Sequence, residues 1–170
     1  MLIMDKTAIY ALLDQQHLWH EITEHSAVSS MAEVTAVELP YPEAEAKNLL
    51  VCDDHHHTYY LLTVKGDLRV DLKAFRQQFH TRRLTFASAQ DLKTRLGVIP
   101  GAVTPLGLLN DDSRRINFFI DQAFLNEPGL IGVHPNDNTA TVCLKTTDLL
   151  ALIRQHGNPV TAVDFSALTK

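Results

Sequence analysis

A lysine and an asparagine, Lys47 and Asn48, stand directly before the apolar run Leu49-Leu50-Val51-Cys52. A cation at the opening of a core-like strand is either an edge residue that keeps the strand soluble or a charge placed in a pocket. Two loops punctuated by glycine and proline, Gly97-Val98-Ile99-Pro100-Gly101 and Gly132-Val133-His134-Pro135, could wall such a pocket. A lysine can hold a phosphate or polarise a carbonyl, and loop N–H groups can stabilise an oxyanion. An activated ester needs little more, so Lys47, Asn48 and His134 suit ester hydrolysis without a covalent intermediate. Spacing alone leaves plainer readings open: a strand-edge lysine with an asparagine turn, and a loop histidine bonded to its own backbone.

Other chemistries find less support. His55, His56 and His57 follow Asp53 and Asp54, but adjacent strand residues alternate faces and the three imidazoles cannot all reach one ion. The segment reads as a surface turn. No helical His-Glu-x-x-His pair, Cys-x-x-Cys or facial triad occurs, so neither a metal nor another cofactor is expected. The Gly-x-Ser-x-Gly elbow of serine hydrolases is missing, and Cys52 and Cys143 lie in apolar segments where a thiolate is disfavoured.

These residues must be positioned by a chain of 170 residues, 45% apolar, which is one ordinary domain able to bury a core without disulfides or metal. The two cysteines read as reduced core residues of a cytoplasmic protein, and no apolar stretch has the length of a membrane span. The net charge of -5 argues against a generic nucleic-acid binder. Its distribution is uneven: residues 1–64 hold two basic and ten acidic residues, whereas residues 65–95 hold eight basic and three acidic. That middle segment could touch a few phosphates, or be a solvated pair of helices.

Helices and short strands alternate without a repeating unit, which predicts an α+β (mixed α/β) domain. Helical spacing runs over residues 6–18, and a second helix from Ser29 or Ser30 to Val37 carries a capping box with Glu33. Leu49–Cys52 and Tyr59–Val64 read as a hairpin across the Asp-Asp-His turn. Asp71–Phe79 and Ala89–Leu96 read as short helices, the second capped by Ser88 and ended by Gly97. Strands are expected at 102–109, 116–121, 130–133 and 139–144, followed by a helix begun at Thr146 or Thr147 and stopped by Gly157. The sheet would have about six strands.

Taken in order, Lys47-Asn48-Leu49-Leu50, Val70-Asp71-Leu72-Lys73, Arg83-Leu84-Thr85-Phe86-Ala87-Ser88, the segment from Leu96 to Leu108 and Gly132-Val133-His134-Pro135 with Asn138-Thr139-Ala140-Thr141 resemble the YbaK/aminoacyl-tRNA synthetase-associated domain family, in its free-standing prolyl-tRNA editing branch. The resemblance runs from about His25 to the C-terminal helix. It implies a barrel-like mixed sheet of six or seven strands flanked by helices. It also implies a trans-editing deacylase that removes a wrongly attached small amino acid from tRNA(Pro), with prolyl-tRNA synthetase as a candidate partner. Lys47 would be the essential lysine, Asn48 and His134 would act beside it, and His25, Thr104, Gly107, Gly132, Val133 and Pro135 would shape the substrate pocket without a metal. The Lys-Asn pair resembles the alanine-removing branch; Leu50, where relatives often carry phenylalanine, keeps serine and cysteine open. Lys73, Arg76, Arg82 and Arg83 would meet the acceptor stem. The competing readings are a non-catalytic module that binds aminoacyl-tRNA or a synthetase, and a hydrolase of another small ester.

Overall fold

The computed structural model describes residues 3–27, 39–66 and 68–170, so the helix expected between Ser29 or Ser30 and Val37 lies outside the described residues. Among the described residues, eight strands divide between two sheets. Strands β2 (Ala46–Asp53), β3 (Tyr59–Lys65), β4 (Leu84–Phe86), β5 (Asn117–Asp121) and β8 (Val160–Val163) form a mixed sheet in the order β4-β2-β3-β5-β8. The pairs β3–β5 and β5–β8 are parallel and the rest antiparallel. Strands β1 (His20–Glu24), β6 (Leu130–Val133) and β7 (Ala140–Lys145) form an antiparallel sheet with β7 in the centre.

The β2–β3 hairpin is the expected one, with Cys52 opposite Tyr59 and Asn48 opposite Thr63. Its turn is closed by the Asp53 carboxylate, which accepts from the His57 N–H at 2.8 Å, as an aspartate at the head of a turn does. Both faces of the large sheet are buried, so its central strands are apolar on both sides rather than alternating. Leu50, Cys52, Leu61 and Phe118 face the main core, shared with the small sheet. Val51, Leu62, Val64 and Phe119 face a second core built around the fully buried Phe75.

Among the described residues, four α-helices cover these layers. In α1 (Lys6–Gln15), capped by Asp5, Ile9 and Leu13 lie one turn apart and are both fully buried. Helix α2 (Leu72–Phe79) is capped by the Asp71 carboxylate and sends Phe75 against Phe119 and Phe165. Helix α3 (Ala89–Leu96) has the full Ser88–Asp91 capping box and ends at Gly97, in the left-handed region at φ 68°. Helix α4 (Thr146–His156) stops at Gly157, but no threonine side chain caps it. The Thr146 hydroxyl instead donates to the buried Phe124 carbonyl at 2.7 Å.

One expectation fails. Residues 102–109 contain no strand: Pro105–Asn110 is a 3-10 helix, with proline in its first turn and the Thr104 hydroxyl accepting from the Leu106 N–H. An apolar run buried on all sides has the same pattern in a strand and in a compact helix, and Pro105 decides for the latter. The mixed α+β architecture is the expected one, its strands shared between two sheets that a bridge between Glu45 and Gly132 joins. No helix among the described residues is long and apolar enough to cross a membrane.

Candidate active site

The bridge between Glu45 and Gly132 brings the start of β2 against β6, and a cavity of about 230 Å³ opens at that seam. One wall is β2, with Glu45, Lys47 and Asn48. The opposite wall is the small sheet and the loop after β6, with Gly132, His134 and Thr141. Gly132 has no Cβ because there is little room for one: it would stand 3.3 Å from the Thr141 methyl and 3.6 Å from the Ala44 carbonyl.

Lys47 is half-buried and has no hydrogen bond or ion pair among the described residues. A cation that lines a cavity and makes no ion pair among the described residues is an electrostatic site for an incoming anion or a polarised carbonyl. Asn48 is fixed from behind. Its Oδ1 accepts from the Thr63 hydroxyl at 2.6 Å, and Thr63 is fully buried. The Asn48 amide nitrogen carries the residue's two donors.

His134 is oriented by the strand beside it: Nδ1 lies 2.9 Å from the Ala140 carbonyl, so Nδ1 carries the proton and donates. Nε2 is then the unprotonated nitrogen. Burial lowers the His134 pKa below its ordinary value of 6.5, opposed by the bond to Ala140, so the ring is neutral at pH 7. The His134 carbonyl accepts from the buried Thr104 hydroxyl at 2.7 Å. His25 lies edge-on to His134 with ring centroids 6.1 Å apart, and its Nε2 sits 2.9 Å from the Thr141 hydroxyl.

Of the residues expected to shape the site, Lys47, Asn48, Gly132, Val133 and His134 line the cavity. His25 and Thr104 stand behind it and hold Thr141 and the His134 loop. Pro135 is buried next to that loop, and Gly107 packs on α3, where a Cβ would meet the Leu96 Cβ at 3.0 Å. Sequence reasoning does not place Glu45, Thr63, Thr141 or Cys143 at the site. Burial raises the Glu45 carboxyl above its ordinary value and pushes the Cys143 thiol up to about 11, which keeps that sulfur protonated and poorly nucleophilic. Thr63 was findable, because the hairpin register places this lone hydroxyl opposite Asn48.

The basic residues lie elsewhere. Lys73, Arg76, Arg82 and Arg83 are exposed on α2 and the loop to β4. Arg82 holds Asp54 of the hairpin turn at 2.7 Å. This end of β2, where Asp53 pairs with Leu84, is six residues from Lys47, about 20 Å at roughly 3.3 Å per residue.

Residues 25–152 match the family model of the aminoacyl-tRNA editing domain. The prolyl-tRNA editing protein ProX of Acetoanaerobium sticklandii is 31% identical over 159 residues, which cover 94% of this chain and 96% of that protein. The prolyl-tRNA synthetase associated domain-containing protein 1 of Bos taurus is 31% identical over 149 residues, 85% of this chain and 86% of that one. Among solved structures, a protein proposed as a trans-editing enzyme for prolyl-tRNA synthetase superposes with a TM-score of 0.66 at 20% identity, covering 95% of this chain and 98% of that one. The hypothetical protein APE2540 superposes with a TM-score of 0.67 at 18% identity, over 94% of this chain and 99% of that one.

Proposed function

We propose that this chain, which belongs to the aminoacyl-tRNA editing domain family and is an aminoacyl-tRNA deacylase, hydrolyses the aminoacyl ester of mischarged tRNA(Pro), with Ala-tRNA(Pro) as its main substrate. The observation that carries this reading is Lys47, without an ion pair among the described residues, lining one cavity with an Asn48 held by Thr63 and with Gly132, Val133 and His134.

The ester of an amino acid with a ribose hydroxyl presents a carbonyl, a cationic α-amino group and the nearby terminal phosphate. Lys47 would hold the phosphate or polarise the carbonyl, and Asn48, fixed by Thr63, would complete the wall beside it. Glu45, two residues before Lys47 on the same side of the chain, is the acidic group to receive the α-ammonium. The neutral Nε2 of His134 is the acceptor to orient the attacking water or the neighbouring ribose hydroxyl. The acyl C–O bond breaks, the water oxygen joins the acyl carbon, and its proton goes to the ribose oxygen. A closely walled pocket admits a methyl side chain and excludes a pyrrolidine ring, so discrimination against proline is steric.

The acceptor stem would run from the cavity towards Arg82, Arg83, Lys73 and Arg76, and the site of action would be the cytoplasm. The relative named for prolyl-tRNA editing and those named for association with prolyl-tRNA synthetase support this choice of tRNA. The test is hydrolysis of Ala-, Ser-, Cys- and Pro-tRNA(Pro) side by side. Fastest loss of alanine with proline retained supports the assignment; fastest loss of serine or cysteine reassigns the amino acid, and no hydrolysis of any contradicts the proposal.

A further inference from the structure

The far end of β2 carries a second group of chemistry-bearing side chains. Cys52 on β2, His56 in the hairpin turn and Asp91 in the first turn of α3 bring one sulfur, one nitrogen and one oxygen within 4.8 Å of one another. His55, His56 and His57 lie in the turn between β2 and β3, and of the three His56 reaches back to Cys52. Its backbone is in the left-handed region at φ 55°, and its Nδ1 reaches 3.4 Å from the Cys52 sulfur.

We propose that Cys52, His56 and Asp91 form a binding site for a zinc-class divalent transition metal ion, separate from the deacylation pocket. The donor set is one that such an ion prefers: thiolate, imidazole and carboxylate. Two ligands of a tetrahedral zinc, with metal–sulfur and metal–nitrogen bonds of about 2.3 and 2.0 Å, lie roughly 3.5 Å apart, close to the Cys52–His56 separation of 3.4 Å. Asp91 is oriented by its surroundings, since Oδ1 accepts from the Tyr59 hydroxyl at 3.1 Å and Oδ2 from the Ser88 N–H. Such outer contacts are what hold a ligating carboxylate in place. The Thr85 hydroxyl stands 3.8 Å from the Cys52 sulfur on the other side. Three protein ligands leave the fourth position to a water molecule.

On binding, the Cys52 thiol gives its proton to solvent and a metal–sulfur bond forms. The ion would tie the hairpin turn to the start of α3. Cys52 lies five residues from Lys47 along β2, about 17 Å at roughly 3.3 Å per residue, so deacylation does not use this site.

The test is titration of the full chain, free of any affinity tag, with cobalt(II) and with zinc. Expected are one cobalt per chain, a thiolate-to-cobalt charge-transfer band lost in Cys52→Ser, and affinity at least tenfold weaker in His56→Ala. Zinc should raise the melting temperature of the wild type and not that of His56→Ala, while deacylation by His56→Ala stays at the wild-type rate. His56 is exposed in a turn, so this variant folds even if replacement of the buried cysteine does not. Absence of the band at stoichiometric cobalt, saturation only at large excess, or equal affinity in His56→Ala overturns the assignment.

Discussion

Gly132→Ala probes the cavity wall with a single methyl group. Gly132 has no positive φ, so alanine adopts its backbone without strain, and the effect comes from the side chain alone. The new Cβ would lie 3.3 Å from the Thr141 methyl, a contact relieved by a few tenths of an ångström of movement in a half-buried side chain. The stability cost should fall at the low end of the overpacking range, about 1 kcal/mol, or roughly 2–4 °C in melting temperature for a chain of this size. Catalysis should suffer more. A methyl group projecting into a pocket that fits a small side chain removes about 1–3 kcal/mol of transition-state binding, roughly a 10–200-fold loss in kcat/KM. Single-turnover deacylation of Ala-tRNA(Pro), run beside a thermal melt, separates the two effects. Wild-type kcat/KM in a folded Gly132→Ala protein would refute the placement of the substrate against this wall.

Three further outcomes follow from the same geometry. Thr63→Val keeps shape but removes the hydroxyl that holds Asn48; deacylation should fall through kcat, with a stability decrease of about 0.5–1.5 kcal/mol in urea unfolding. Because burial depresses the His134 pKa below 6.5, the unfolded chain takes up that proton first as pH falls. Stability from the neutral ring is complete above about pH 6.5 and declines below it, and melts in that window should show a smaller decline in His134→Asn, which keeps a donor for the Ala140 carbonyl. Charge reversal of Arg82 and Arg83 together should weaken tRNA binding at every salt concentration and flatten the salt dependence by roughly one unit of slope for each phosphate left unneutralised; an unchanged slope removes both from the tRNA interface.

The parts of the fold that were legible are those where a local chemical rule acts alone. Ser88, Asp91 and Gly97 bound α3, and Gly157 ends α4, because caps and left-handed glycines satisfy helix ends within a few residues. Strand β1 left no such mark. Its sequence His20-Glu21-Ile22-Thr23-Glu24 has one long apolar side chain, and that one is 39% exposed; it is a strand because β7 pairs with it. For Lys47 the residues left a pocket and a plain strand edge both open, and the resemblance favoured the pocket. Lys47 and His134 are 87 positions apart in the chain, and they meet because Glu45 bridges to Gly132. Glu45 and Thr141 give no local signal, since a glutamate before a strand and a threonine within one are ordinary; what makes them notable is the seam between two sheets.

The most direct test of the account is deacylation of Ala-tRNA(Pro) by Lys47→Ala, with Pro-tRNA(Pro) and tRNA binding measured in parallel. Because Lys47 has no partner among the described residues to leave unsatisfied, its removal should leave the fold intact. Rapid, alanine-selective hydrolysis by the wild type is expected, abolished in the variant at an unchanged melting temperature. Hydrolysis by a folded Lys47→Ala protein at the wild-type rate would contradict it.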